Sequence, residues 1–236
     1  MDRGLGILEK LLKKLQVWLA SRKNEEGVTL IELLAVVVIM SIIAAVAVPV
    51  VIGQINNSKV KADVSDEGII VDAIQRAEFD YESSSSDGGY MSLNLPSTIT
   101  SSNSSYTYQE GTLTDNGTSG TSTDVTVEAG TTAIPANVSA SDSTLNAVLT
   151  NGFEKNGTGA YLDSIPTPQT SSSSTWTIID LSDVQPASGG SPTSLTLSDF
   201  TNNLPKNVNA GEVTSFTVPD ANGNSVTYAI FPTPNS

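Results

Sequence analysis

Gly27-Val28-Thr29-Leu30-Ile31-Glu32-Leu33-Leu34, continuing as AVVVIMSIIAAVAVPVVI to Ile52, decides how this chain is read. The stretch starts at a glycine and holds one charge, Glu32. From Leu33 to Ile52 no residue is charged, and Ser41 alone is notably polar. As helix, these roughly 20 residues reach about 30 Å, enough to cross the hydrocarbon core of a bilayer. A carboxylate near one end of such a segment is costly to bury and points to a function and a partner.

On the N-terminal side, residues 5–19 have the pattern of an amphipathic helix. Leu5, Leu8, Leu11, Leu12, Leu15, Trp18 and Leu19 fall on one side, and Lys10, Lys13 and Lys14 face away. A basic amphipathic helix with a tryptophan suits a membrane surface. The polar hinge SRKNEEG, residues 21–27, follows. Arg22 and Lys23 precede the apolar run, so the positive-inside rule leaves this end in the cytoplasm and exports the rest. A secretory signal cut after Ala45-Val46-Ala47 is one reading, but its core is about 7–15 residues, shorter than this run, and it gives Glu32 no purpose. An uncleaved anchor explains the length and not the glutamate.

The octapeptide Gly27 to Leu34, with Pro49 near the end of the apolar run, resembles the class III signal of type IV pilins and pseudopilins. The pattern of that family is Gly, an apolar residue that is most often Phe, then Thr-Leu-Ile-Glu. Val28 replaces the Phe, and the leader is unusually long. The resemblance covers about a quarter of the chain, and the C-terminal domain has no part in it. It implies that a membrane-embedded prepilin peptidase cuts between Gly27 and Val28 and methylates the new Val28 amine. It also implies a homo-oligomeric helical filament built by a pilus assembly platform and its ATPase, with Glu32 and Pro49 serving assembly. The α-amine freed at Val28 would have a reference pKa of about 7.7–8.0, so it is largely cationic at neutral pH. Glu32 of one subunit could then neutralise Val28 of the next. Such a pair sets register chiefly by penalising unpaired arrangements.

Beyond the membrane run the helix should continue to about Glu82. Val60, Val64, Val71, Ile74, Ala77 and Tyr81 recur at helical spacings and form one expected apolar stripe, with Lys59, Lys61, Asp63, Asp72, Gln75 and Arg76 on other faces. Pro49 removes a backbone donor and should kink or loosen the helix, and Gly53 and Gly68 are further weak points. From Val28 to Glu82 the helix would run roughly 80 Å. The run Ser83-Ser84-Ser85-Ser86-Asp87-Gly88-Gly89 ends it.

From Tyr90 on, Ser, Thr, Asn and Gly dominate. Strands are expected at Ser105–Gln109, Asp124–Glu128, Thr175–Ile179, Ser194–Leu197, Val213–Val218 and Ser225–Phe231, with an Asn222-Gly223 hairpin turn joining the last two. A short helix is expected over Ser143–Leu149, capped by Asp142 or Ser143. Segments 114–123, 166–174 and 185–193 read as surface loops. The expected fold class is therefore α+β: leader 1–27, long helix 28–83 with transmembrane segment 28–52, and a β-rich exported domain 84–236. Asp220-x-Asn222-x-Asn224 resembles the start of a calcium loop, but Ser225 and Phe231 stand where Gly and Glu belong, so a plain turn is expected and no metal site. Asn103, Asn116, Asn137 and Asn156 sit in N-x-S/T patterns that so Ser/Thr-rich a chain produces by chance.

Composition narrows function further. The 236 residues hold no Cys and no His, which excludes disulfides, thiol nucleophiles, a Ser-His-Asp triad and the common zinc sites. No nucleophile–base or carboxylate pair stands out, so no catalytic residue and no cofactor is expected, and the chain is read as substrate rather than enzyme. Removing residues 1–27 takes away 6 basic and 4 acidic residues and leaves 5 basic against 21 acidic, a formal −16. Such a surface disfavours nucleic acid along a filament shaft. The resemblance leads to a structural subunit, the major pilin, of a surface filament for adhesion, twitching motility or DNA uptake. Its alternatives are a minor pilin, a pseudopilin of a type II secretion or competence system, or an anchored surface protein that never polymerises.

Overall fold

In the computed structural model, the described residues are 13–14, 16–17, 30–84, 89–95, 97–100, 106–114, 123–129, 144–152, 159–171 and 173–234. The chain divides into two units, 1–54 and 55–236. The architecture is α+β, with one long N-terminal helix and a β-rich C-terminal domain.

Helix α1, Leu30–Ser84, is assigned without interruption through Pro49, Gly53 and Gly68. After it come β1 (Met91–Asn94), β2 (Ser97–Thr100), β3 (Tyr106–Thr114), β4 (Thr126–Ala129), α2 (Leu145–Asn151), β5 (Thr175–Asp180), β6 (Gln185–Pro186) and α3 (Leu197–Thr201). A 3-10 turn, Ala210–Glu212, precedes β7 (Thr214–Pro219) and β8 (Ser225–Pro232). The main sheet is antiparallel with strand order β2-β3-β5-β8-β7, and β6 pairs with the start of β3. Strands β1 and β4 form a separate antiparallel pair.

The central strands alternate between two apolar layers, as the two-residue period of a strand requires. Trp176 and Ile178 of β5, Tyr228 and Ile230 of β8, and Phe216 and Val218 of β7 point to the face that carries α1, where Ile70, Ile74, Ala77 and Tyr81 meet them. Ile179, Ala229 and Phe231 point to the other face, with Tyr108, Leu181, Val184 and Phe200 of α3. Rings pack at both levels. Phe216 stacks on its cross-strand partner Tyr228 with centroids 5.5 Å apart, and Phe200 meets Tyr108 edge-on at 5.3 Å.

Several sequence expectations are corrected. Ser194–Leu197 is not a strand. Thr196 caps α3 instead: its hydroxyl accepts from the Asp199 amide at 3.1 Å, while Asp199 Oδ2 accepts from the Thr196 amide at 3.3 Å. That reciprocal pair starts a helix, and burial of Phe200 holds it. The helix expected over Ser143–Leu149 is α2, two residues later, and its cap is Thr144 rather than Asp142 or Ser143. Gln185–Pro186, in a segment read as loop, pairs with β3, and β1 and β2 carry too little alternation to be read as strands. The β7–β8 connection is the expected turn. Gly223 has φ +82° there, which favours glycine, and an added Cβ would stand 2.6 Å from the outer end of the Tyr90 ring, which would have to move.

The buried face of the later part of α1 also differs from the expected stripe. Ile74, Ala77, Tyr81 and Val71 are buried as expected, but Val64 is exposed and Val60 half-buried. Stepping back from Ile74 by alternating four and three residues reaches Ile70, Glu67 and Asp63, all fully buried. Asp63 was expected on a polar face; Lys59, Lys61, Asp72, Gln75 and Arg76 do lie exposed.

Candidate functional site

Residues 30–54 form an apolar helical surface, and every one of their side chains is exposed. Leu30 is 83% exposed, Met40 64% and Ile42 63%, values that in water would leave a large unfavourable apolar area. The 18-residue window that marks α1 as a candidate span has mean hydropathy 3.0, and none of it is buried within the chain. A solvent of lipid, or other helices of the same kind, resolves that exposure. Ser41 shows how a polar group is accommodated, since its hydroxyl donates to the Val37 carbonyl one turn back at 2.7 Å. A hydroxyl bonded to its own helix needs no outside partner in hydrocarbon.

Glu32 stands in the first turn of α1 as described. Pro49 lies inside the helix and withholds the amide that would otherwise bond the Ala45 carbonyl. Gly27 and Val28 lie outside the described residues, as do Asn103, Asn116, Asn137 and Asn156. Nearer the N-terminus, Lys13, Lys14, Gln16 and Val17 are helical and exposed, and the rest of the expected amphipathic helix lies outside the described residues.

In the β-rich domain the Asp220 loop is a turn closed on itself. Asp220 Oδ1 accepts the amides of Asn222 and Asn224 at 2.8 and 2.7 Å, and Oδ2 accepts Nδ2 of Asn224 at 2.9 Å. The Asn224 contacts hold the Asp220 carboxyl below its ordinary pKa. Among the described residues, no group of three His, Cys, Asp or Glu side chains is placed to hold a metal ion.

Sequence reasoning missed a buried acidic seam. Asp63 Oδ1 accepts the Gln169 amide at 2.6 Å, and Oδ2 accepts the Thr170 amide at 2.9 Å and the Thr170 hydroxyl at 2.5 Å. Thr214 donates its hydroxyl to Glu67 Oε2. Asn209 donates to Glu212 Oε2 at 2.9 Å, and Glu212 is also buried. The alternating four- and three-residue spacing of 63, 67, 70, 74, 77 and 81 was available in the sequence. Acids at two of those positions hid it, because a buried carboxylate is read as a surface one until its donors are known.

Residues 22–48 match the family model described as the prokaryotic N-terminal methylation motif, the class III signal peptide of type IV pilins and pseudopilins. The motif implies processing by a prepilin peptidase and insertion in a membrane, and with the apolar helix it fits a membrane-anchored precursor. No curated protein and no solved structure matches the chain.

Proposed function

We propose, from a chain whose residues 22–48 carry the class III signal of type IV pilins and pseudopilins, that it is the major structural subunit of a type IV pilus. Prepilin peptidase removes residues 1–27 and methylates Val28. The membrane-spanning segment, 28–52, then leaves the bilayer for the core of a helical filament, drawn in by an assembly platform and its ATPase. The β-rich domain is displayed outside the cell, where such a filament serves adhesion, twitching motility or DNA uptake. The protein itself performs no catalysis and needs no cofactor.

One observation carries this reading: a motif that specifies processing and methylation lies directly on a helix whose side chains, over residues 30–54, are all exposed. Lipid covers such a helix in the precursor, and bundled copies cover it in the filament. Glu32 travels with it. Inside a bundle of apolar helices its carboxylate needs a cation, and the Val28 amine of the neighbouring subunit is the nearest that processing creates.

Mass analysis of the N-terminus of the mature protein tests this. Methylated Val28 is the expected result. Surface material that begins at Met1, or just after Ala47, would leave an anchored protein that never polymerises. Filaments sheared from cells separate the finer alternatives: a major pilin dominates the preparation, and a minor pilin or pseudopilin is scarce in it.

A further inference from the structure

We propose that the seam between α1 and the sheet is closed by a proton, with Glu67 carried as a neutral carboxylic acid in the folded domain and its ionisation loosening α1 from β7 and the 3-10 turn. The geometry points there from three sides. Glu67 is fully buried, and its Oε1 meets no hydrogen-bond partner. Its Oε2 has the Thr214 hydroxyl, a neutral donor. The charged groups that act on it are Asp63, one turn earlier on α1, and Glu212 on the 3-10 turn, both negative and both buried. The oxygens of Asp63 are occupied by Gln169 and Thr170, and Glu212 Oε2 is occupied by Asn209. The basic residues of this part of α1, Lys59, Lys61 and Arg76, lie exposed on other faces.

An ionised carboxylate in that place would carry half its charge on an oxygen with no donor, beside two like charges. A neutral carboxyl removes the repulsion and most of the desolvation cost. Burial, reinforced by Asp63 and Glu212 and only partly offset by Thr214, pushes Glu67 up to about 8 from 4.5. In the unfolded chain the group titrates near 4.5, so between these values the folded chain holds one more proton. Its contribution to stability is complete below about 4.5 and is lost as pH rises toward about 8, by roughly tenfold in the folding constant per pH unit.

The full chain in detergent micelles serves for the test, with Trp18→Phe so that buried Trp176 alone reports. Denaturant unfolding is measured from pH 5 to 9 for this background and for the same chain with Glu67→Gln. The glutamine variant should gain on its parent by about tenfold in the folding constant per pH unit, levelling near pH 8. A ratio of folding constants that stays flat across that range overturns the proposal. So does stabilisation of the parent by added calcium or magnesium at pH 8 that Glu67→Gln abolishes, because a cation rather than a proton would then fill the seam. Should the variant fail to fold, infrared spectra of the parent labelled with ¹³C-glutamate decide the matter. A protonated-carboxyl carbonyl band at pH 7 that vanishes by pH 9 supports the proposal, and its absence at pH 7 sinks it.

Discussion

Along residues 30–54 of α1 every side chain is exposed and Glu32 is the one acid; along residues 55–84 two acids, Asp63 and Glu67, are fully buried. The two stretches belong to one continuous helix and face the same difficulty, a carboxylate in apolar surroundings, with three solutions. Asp63 is saturated by donors from its own domain. Glu67 is half satisfied, so burial favours its neutral form. Glu32 sits on the exposed apolar stretch, which the proposed filament would cover with other copies. The difference teaches that the later stretch is finished by folding, whereas on the proposed function the earlier one is finished by assembly.

The largest effect should come from breaking the earlier solution. Glu32→Ala is expected to leave export and cleavage intact while filaments become undetectable in sheared preparations. Immunoblots of membrane and sheared fractions measure both. Normal filaments from this variant would remove the pairing role.

Next comes a pair of like substitutions, one in each stretch. Ile74→Ala, at a fully buried position, should destabilise the domain by about 3–4 kcal/mol, since the cavity left against the sheet adds to lost burial. Ile43→Ala removes the same atoms from a side chain that is 61% exposed and belongs to the other unit. Denaturant unfolding of the domain should be unchanged by it. An equal loss from both would mean that the two stretches fold as one cooperative body.

Asp63→Ala tests how the later stretch finishes itself. It leaves the amides of Gln169 and Thr170 without an acceptor, at about 1–3 kcal/mol for the unsatisfied groups. The segment carrying those amides should also become a protease site. Limited proteolysis with mass analysis of the fragments checks this, and unchanged resistance at residues 165–171 would show that other contacts, such as buried Ile165 and the Trp176 bond to the Pro166 carbonyl, hold the segment without Asp63.

These contrasts also show why the sequence was legible in some places and not in others. Gly27 to Leu34 is local: neighbouring residues carry the motif, and no fold is needed to read it. Strands β3, β4, β5, β7 and β8 were legible because their alternation or apolar content is written into each segment, as in Thr175–Ile179. The α3 helix was missed although Thr196 and Asp199 spell its cap, because the flanking Leu195 and Leu197 imitate a strand. Strand order and the acidic seam were not legible. Both depend on pairings across long separations, such as Asp63 with Thr170 or Glu67 with Thr214, and no window of sequence contains both partners.

The smallest effect is expected on the outer side of the later stretch. Phe79 is 69% exposed on α1, flanked at helical spacing by Asp72, Gln75, Arg76 and Asp80 around a shallow groove. Large and apolar, it nevertheless lies outside the apolar stripe expected from the sequence. It falls two residues beyond Ala77 and two before Tyr81, hence about 200° around the helix from either. Phe79→Ser should therefore change domain stability by no more than about 0.5 kcal/mol. Substitution by serine exchanges an exposed ring for a hydroxyl already in water and disturbs no packed neighbour. Unfolding curves that shift by more than about 1 kcal/mol would show that the ring is covered in solution. The division of α1 into a buried face set by 63, 67, 70, 74, 77 and 81 and an open one would then have to be redrawn.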